Sequence, residues 1–222
     1  MGKWRRHFEH YDFFRLNSDR YLATLQKHLD LLKGFKYIID TGAGSGNLTL
    51  KLLERGHFVK ATDVDEEVLE LLKEKCKDYE NLLDTETMDL NEKMPLKSNS
   101  FDAANSMFVI PFVNHELYFL EIFRILKSNS RFILSAWAPV ENTWDGVIIG
   151  LERELTRKGI LPKNQEEWKE FKLANSKRVA EVKRGPSPQK IIKTLADAGF
   201  SNITMPENPY GHLAYTVICE KK

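Results

Sequence analysis

Ile38-Ile39-Asp40-Thr41-Gly42-Ala43-Gly44-Ser45-Gly46-Asn47-Leu48-Thr49-Leu50-Lys51-Leu52, residues 38–52, is the stretch that decides the fold. Tyr37-Ile38-Ile39 is a short apolar run that reads as a strand. It enters a turn with glycine at 42, 44 and 46, and a helix follows over Leu48 to Arg55, closed by Gly56. Glycine in such a turn adopts positive φ and carries no β-carbon to hold a ligand away from the backbone. The first turn of the helix then offers unpaired amides to a carboxylate or phosphate. A tight turn without a ligand is the competing reading, and the segments on either side bear on the choice.

Outward from the turn, strands and helices alternate. His57 to Thr62 reads as a second strand that delivers Asp63 at its carboxyl end. Asp65 caps the next helix, with Glu66 and Glu67 in its first turn and Lys73, Lys75 and Lys77 near its end, a polarity that complements the helix dipole. A third strand around Leu82 to Met88 delivers Asp89, a fourth runs from Phe101 to Met107, and a fifth from Arg131 to Trp137. The helix from Asn114 to Lys127 separates the last two. Residues 138 to 185 interrupt the alternation with two predicted helices, Trp144 to Lys158 and Gln165 to Val182. Ser187-Pro188 starts another helix that Gly199 stops. Phe200 to Met205 and His212 to Cys219 finish as strands. Upstream, Leu16 to Lys33 reads as a helix with Tyr21, Leu22, Leu25, Leu29 and Leu32 at helical spacing, ended by Gly34. The expectation is an α/β protein with a doubly wound, mainly parallel sheet. It divides into an N-terminal helical arm or lid over 1–35 and a main domain over 36–222 that carries a helical insertion at 138–186.

The motif itself tests a dinucleotide-binding alternative. A nicotinamide or flavin fingerprint beginning at Gly42 needs glycine at position 47, and the chain has Asn47. That disfavours a nicotinamide-dependent reductase. Asp63 lies 17 residues beyond Gly46 at a strand tip, where a carboxylate can accept both hydroxyls of a ribose. Its alternative is a solvated loop acid beside Asp65. Val64 would form an apolar wall under a base, and Asp89 with Leu90, at the next tip, could lie beside adenine. With Glu86 and Glu92 close by, Asp89 is also readable as a chance acid.

Together these residues resemble the class I S-adenosylmethionine-dependent methyltransferases, closest to the small-molecule branch typified by quinone-biosynthesis C-methyltransferases. The resemblance rests on residues 38–52, VKATDVDEEVLELL (59–72), MPLKSNSFDAANSMFVIPFV (94–113), EIFRILKSNSRFILSAW (121–137) and QKIIKTLADAGFSNI (189–203). It implies a seven-stranded Rossmann-like sheet with a final antiparallel hairpin strand. It also implies S-adenosylmethionine as cofactor and S-adenosylhomocysteine as product. By it, Asp40, Gly42, Ala43 and Gly44 surround the methionine part, Asp63 holds the ribose, and Asp89 and Leu90 flank adenine. Asn105, Ser106 and Met107 end the fourth strand beside the transferable methyl group. Two departures stand out. Ser128-Asn129-Ser130 replaces a common Pro-Gly-Gly before the fifth strand, so an altered loop is expected there. Ile110-Pro111-Phe112 occupies the place where many relatives carry a histidine.

The implied reaction is methyl transfer to an O, N or C atom of a small organic acceptor. A cofactor-binding subunit without transferase activity is the alternative from another class. His10, Tyr11 and His115 are the candidate catalytic side chains, with His7 a further base. The aromatic arm Trp4 to Phe14 either closes over the cofactor or simply packs on the sheet. Trp137 and Trp144 could line an apolar pocket, whereas Trp168 and Phe171 read as packing. Lys and Arg number 33 against 32 Asp and Glu, with no basic stripe, so a nucleic-acid partner is not expected. Cys76 and Cys219 have no metal-binding spacing and read as buried thiols of a reducing compartment, and no metal site is expected. The basic start lacks a signal peptide's apolar run, and no stretch suits membrane insertion, so a cytoplasmic location is expected. Acceptor identity and oligomeric state are not encoded in these motifs.

Overall fold

The first strand is preceded by two helices, α1 (Lys3–Leu16) and α2 (Asp19–Leu31), where periodicity alone suggests a single helix starting at Leu16. The break is Ser18. Its backbone is extended and its hydroxyl accepts the Tyr21 amide, which satisfies an otherwise orphan donor of α2. The structure, a computed structural model, describes residues 3–139, 143–181 and 185–222. The side chains of His7 and Trp144 lie outside the described residues.

The chain then runs β1 (Tyr37–Thr41), α3 (Asn47–Leu53), β2 (Phe58–Asp63), α4 (Glu66–Lys75), β3 (Leu83–Thr87), β4 (Phe101–Met107), α5 (His115–Ile125) and β5 (Leu126–Trp137). It continues with α6 (Thr143–Arg157), α7 (Gln165–Glu181), α8 (Pro188–Asp197), β6 (Ser201–Thr204) and β7 (Ala214–Lys221). The seven strands form one sheet in the order β3-β2-β1-β4-β5-β7-β6. β1 to β5 are parallel, and β7 runs antiparallel to both β5 and β6, the mainly parallel α/β arrangement expected. As expected, Asp65 and Ser187 cap α4 and α8, accepting the amides of Val68 and Lys190.

β5 starts five residues earlier than its apolar run suggests, because Ser128-Asn129-Ser130 kinks the strand rather than ending it. Asn129 takes φ +61°, which asparagine tolerates better than most residues. Across the kink the pairing with β4 jumps from Phe101–Leu126 to Ala103–Arg131, as in a β-bulge.

Alternation along the strands divides the core between two faces. Ile39, Ala104, Phe132 and Leu134 point toward α5 and α8, where Phe119, Ile122, Ile191 and Leu195 meet them. Ile38, Ala103 and Ile133 point the other way, toward Leu25 and Leu29 of α2, Leu52 of α3 and Leu72 of α4. Central parallel strands covered on both faces need apolar residues at consecutive positions, which is why Ile38-Ile39 reads as a run. Burying each such isoleucine contributes about 1.5–3 kcal/mol. A third cluster, Phe14, Leu151, Leu155, Trp168 and Phe171, joins α1, α6 and α7. Trp168 and Phe171 are therefore packing residues, stacked at 5.1 Å with Phe14 against both. Both cysteines are buried and unbridged.

Candidate functional site

The chain winds outward from β1 to β3 on one side and returns to β4 on the other. The winding thus reverses between β1 and β4, and the carboxyl ends of the strands at such a switch point are the place where open α/β sheets bind ligands. The glycine turn sits there. Gly42 takes φ +66°, and a β-carbon on it would lie 2.4 Å from Cγ2 of Val109, so backbone and roof meet directly. Gly44, at φ +56°, faces open space with no atom within 4 Å of a β-carbon position. Ala43 anchors the turn to the neighbouring strand by donating its amide to Thr62 O at 2.8 Å.

Two carboxylates flank the turn. Asp63 accepts the Gly44 amide at 2.9 Å on one oxygen and the Asp65 amide at 3.1 Å on the other. Its burial raises the carboxyl pKa, and hydrogen bonds from the backbone of Gly44, Asp65 and Val64 pull against that. Each oxygen retains a lone pair for a further donor, a geometry suited to a vicinal diol. Asp40 is deeper, 3% exposed, and accepts from Thr49 Oγ1 at 2.7 Å and Asn105 Nδ2 at 2.8 Å. Desolvation pushes its carboxyl up to about 6, opposed by those two hydrogen bonds and assisted by Asp63.

The remaining expected residues are spread more widely. Val64 is 67% exposed beside Asp63, an apolar surface open to stacking. Asp89 turns its carboxylate onto its own loop, accepting Asn91 N at 2.9 Å and Asn91 Nδ2 at 3.0 Å. Leu90 is buried in the α5 face of the core. Ser106 is buried next to the Tyr118 hydroxyl. Of the candidate bases, His10 Nδ1 lies 3.3 Å from Glu170, tying α1 to α7. Tyr11 packs its ring against Phe171 and under the Arg15 guanidinium. His115 Nε2 is 2.9 Å from the Ile110 carbonyl, and burial lowers its pKa.

Four features of the site escape sequence reading. Asp12 of α1 reaches the glycine turn, accepting from Ser45 Oγ at 2.6 Å, Asn47 Nδ2 at 2.8 Å and Lys75 Nζ at 2.7 Å. The arm is thus latched to the loop and to α4. Thr41 Oγ1 pairs with the Tyr118 hydroxyl at 2.6 Å. An aromatic cluster forms where β4 and β5 end: Phe108, at φ +66°, stacks on Trp137 at 4.1 Å, and Tyr210 stands edge-on to both. The buried Arg15 guanidinium donates to the Tyr210 hydroxyl at 3.2 Å and lies over the Trp137 ring. Fourth, His28 sits fully buried between Asn105 and Ser135. Its position on the apolar stripe of α2, one turn from Leu25 and Leu32, was the readable signal. Among the described residues no group of three or more His, Cys, Asp or Glu side chains is placed to hold a metal, and no helix is long and apolar enough to cross a membrane.

A doubly wound sheet with a glycine turn and a strand-tip aspartate at its switch point is a Rossmann-like architecture. Residues 39–134 match the family described as "Methyltransferase domain". Demethylmenaquinone methyltransferase of Tropheryma whipplei (strain Twist) is 29% identical over 98 residues, covering 44% of this chain and 40% of that protein. A Mycobacterium tuberculosis protein named as an uncharacterized methyltransferase is 34% identical over 94 residues, covering 42% and 37%. The matched stretch thus spans about two fifths of the length of these curated relatives. Among solved structures, geranyl diphosphate C-methyltransferase from Streptomyces coelicolor A3(2) superposes with a TM-score of 0.66 at 13% identity, covering 91% of this chain and 79% of that one. Over residues 39–134 the sequence is thus similar to the methyltransferase domain, and over nearly its whole length the fold is similar to that of S-adenosylmethionine-dependent methyltransferases.

Proposed function

We propose that this protein transfers the methyl group of S-adenosylmethionine to an O, N or C atom of a small organic acceptor and releases S-adenosylhomocysteine. The observation that carries the reading is the Gly44–Asp63 pair: an open glycine donates its amide to a carboxylate whose remaining lone pairs suit a ribose diol. Asp40, Gly42, Ala43 and Gly44 fit the methionine part, where a buried carboxylate below the open backbone at Gly44 complements an ammonium group. Val64 fits as the surface under the base. Asp89 and Leu90 are assigned to the adenine end with Asp89 as a loop-ordering residue, and Ser106 to the wall at the end of β4.

When bound, the cofactor supplies an already activated methyl group, so the protein's task is orientation and exclusion of water. α1 contributes by latching Asp12 to the loop, and α6 and α7 close over α1 through the Phe14–Trp168–Phe171 cluster. Phe108, Trp137 and Tyr210 would present an apolar, aromatic surface to the acceptor beside the tips of β4 and β5. His10, Tyr11 and His115 remain the candidates for a general base where the acceptor must lose a proton. The reaction is assigned to the cytoplasm, without a nucleic-acid partner.

Calorimetric titration with S-adenosylhomocysteine, and with NADH and NADPH in parallel, tests the proposal. Micromolar binding of S-adenosylhomocysteine alone is expected. Binding of a nicotinamide cofactor in its place would overturn the assignment, and a protein that bound S-adenosylhomocysteine but methylated no acceptor would revert to the non-catalytic subunit reading.

A further inference from the structure

A continuous row of buried polar side chains crosses the sheet from β7 to Asp40. Asn208 Nδ2 donates to Thr216 Oγ1 at 2.8 Å, and the Thr216 and Ser135 hydroxyls lie 2.9 Å apart. Ser135 Oγ is 2.6 Å from His28 Nε2, and His28 Nδ1 is 2.5 Å from Asn105 Oδ1. Asn105 Nδ2 then donates to Asp40 Oδ1 at 2.8 Å. His28, Asn105, Ser135 and Thr216 are all 0% exposed, so each depends on the next for its hydrogen bonds. These residues come from α2, β4, β5 and β7, and their side-chain bonds lie outside the backbone ladders of the sheet.

The direction of every proton follows from the two ends. An ionised Asp40 only accepts, so Asn105 must turn its nitrogen to Asp40 and its oxygen to His28. His28 therefore carries its proton on Nδ1, and Nε2 accepts from the Ser135 hydroxyl. Thr216, which accepts from Asn208, is free to donate to Ser135. All five bonds donate toward the carboxylate, and aligned hydrogen bonds polarise one another. A leucine at position 28 would complete the apolar stripe of α2 without desolvating a ring, but would strip Asn105 Oδ1 and Ser135 Oγ of their buried partner. The imidazole is instead held neutral: burial drives its pKa down to about 4, Asn105 works against that, and Lys27 adds to it.

We propose that His28 is a positioning residue, acting through Asn105 to orient the Asp40 carboxylate and to favour its ionised state at the methionine end of the cofactor site. This rests on the methyltransferase reading for the role of Asp40, whereas the proton chain stands on the geometry alone. Besides Asn105, the groups that act on Asp40 are Asp63 from β2 and the Thr49 hydroxyl of α3, while burial and, after it, the Asp40 charge itself raise the pKa of the Tyr118 hydroxyl of α5 and of the Cys76 thiol at the end of α4. None of these touches His28, so its contribution is separable from theirs.

Imidazole 15N NMR of the full chain without cofactor, together with calorimetric binding of S-adenosylhomocysteine between pH 5.5 and 8.5, tests the proposal. A His28 protonated on Nδ1 is expected. In His28→Leu, Asn105 loses its fixed orientation and the apparent ionisation of Asp40 moves up by about one pH unit, the size of one modest hydrogen bond. Since only the ionised fraction is competent, S-adenosylhomocysteine then binds about fivefold more weakly at pH 6 and nearly normally at pH 8. His28→Asn, whose amide can still donate to Asn105, should recover most of the difference. Leu29→Ala, on the same buried helix face, should lower stability without moving the pH profile.

An Nε2-protonated imidazole, or superimposable profiles for wild type and His28→Leu, would overturn the proposal and leave the cofactor assignment intact. If His28→Leu does not fold, Ser135→Ala, which breaks the link behind the histidine, should shift the profile in the same direction by less, and no shift counts against the proposal. Should wild type fail to bind S-adenosylhomocysteine at any pH, the cofactor reading falls. The proposal is then decided by 13C titration of the Asp40 carboxyl in wild type and His28→Leu, or Ser135→Ala if His28→Leu does not fold, where coincident curves sink it.

Discussion

Gly42→Ala probes the tightest contact of the site, and its cost can be worked from geometry. The residue lies at φ +66°, a conformation that costs a residue with a β-carbon about 1–2 kcal/mol. The new carbon would stand 2.4 Å from Val109 Cγ2, 3.0 Å from Cγ1 and 3.3 Å from Cβ. Apolar carbon pairs rest at about 3.5–4.0 Å. Val109 is half-buried against the α5 face of the core, so it cannot swing clear without repacking. Overpacking of this kind costs about 1–3 kcal/mol. The substitution should therefore destabilise the fold by about 2–5 kcal/mol. Val109→Ala removes both offending methyl groups, leaving only the 3.3 Å approach, so the double variant should recover the steric part and keep the backbone strain. Urea unfolding of the two single variants and the double variant measures the coupling directly. Contacting residues couple by about 0.5–3 kcal/mol, and a coupling near 2 kcal/mol is expected here. Strict additivity would refute the claim that Val109 roofs the turn, and a neutral Gly42→Ala would refute the left-handed turn itself.

Asp63→Ala should weaken S-adenosylhomocysteine binding by about 1–3 kcal/mol through lost charge-assisted hydrogen bonds, and unchanged affinity in a folded variant rules out the ribose assignment. Asp12→Ala removes the acceptor of Ser45, Asn47 and Lys75 and should raise amide exchange in α1 selectively, by hydrogen-exchange mass spectrometry. Protection unchanged across α1 would show that the latch is not what holds the arm. His28 also sets a pH dependence of stability. Its folded pKa of about 4 lies below the ordinary 6.5, so it contributes stability above pH 6.5 that is lost as pH falls toward 4. That interval at 1.36 kcal/mol per pH unit is about 3 kcal/mol, to order of magnitude. Urea midpoints should accordingly fall less steeply over this range in His28→Asn than in wild type, and parallel curves would contradict the buried neutral imidazole.

The turn and the tips around it were readable because their signals are local. Glycine at 42, 44 and 46 after two isoleucines, and Asp63 after a strand-forming run, announce themselves within a few residues, and the structure joins them in one 2.9 Å hydrogen bond. Asp65 and Ser187 were legible as caps for the same reason. The division of the N-terminal helix at Ser18 was less so, since Leu16 continues the apolar spacing and only the cap geometry shows the break. The kinked start of β5 was hidden because Ser-Asn-Ser reads as a loop, and only pairing with β4 makes it part of a strand.

What the sequence determined alone was the alternation of strands and helices from β1 onward, the mainly parallel sheet and the position of the glycine turn. Periodicity, capping and turn chemistry act over single turns of chain, so they are written locally. What only tertiary structure decided was which distant groups serve that turn. Val109 reaches it from the end of β4, Asp12 bonds to Ser45 across 33 residues and to Lys75 across 63, and His28 meets Asn105 across 77. No local preference encodes such pairs. They exist because folding buries polar groups together, and a buried donor or acceptor must find its partner wherever the sheet brings one.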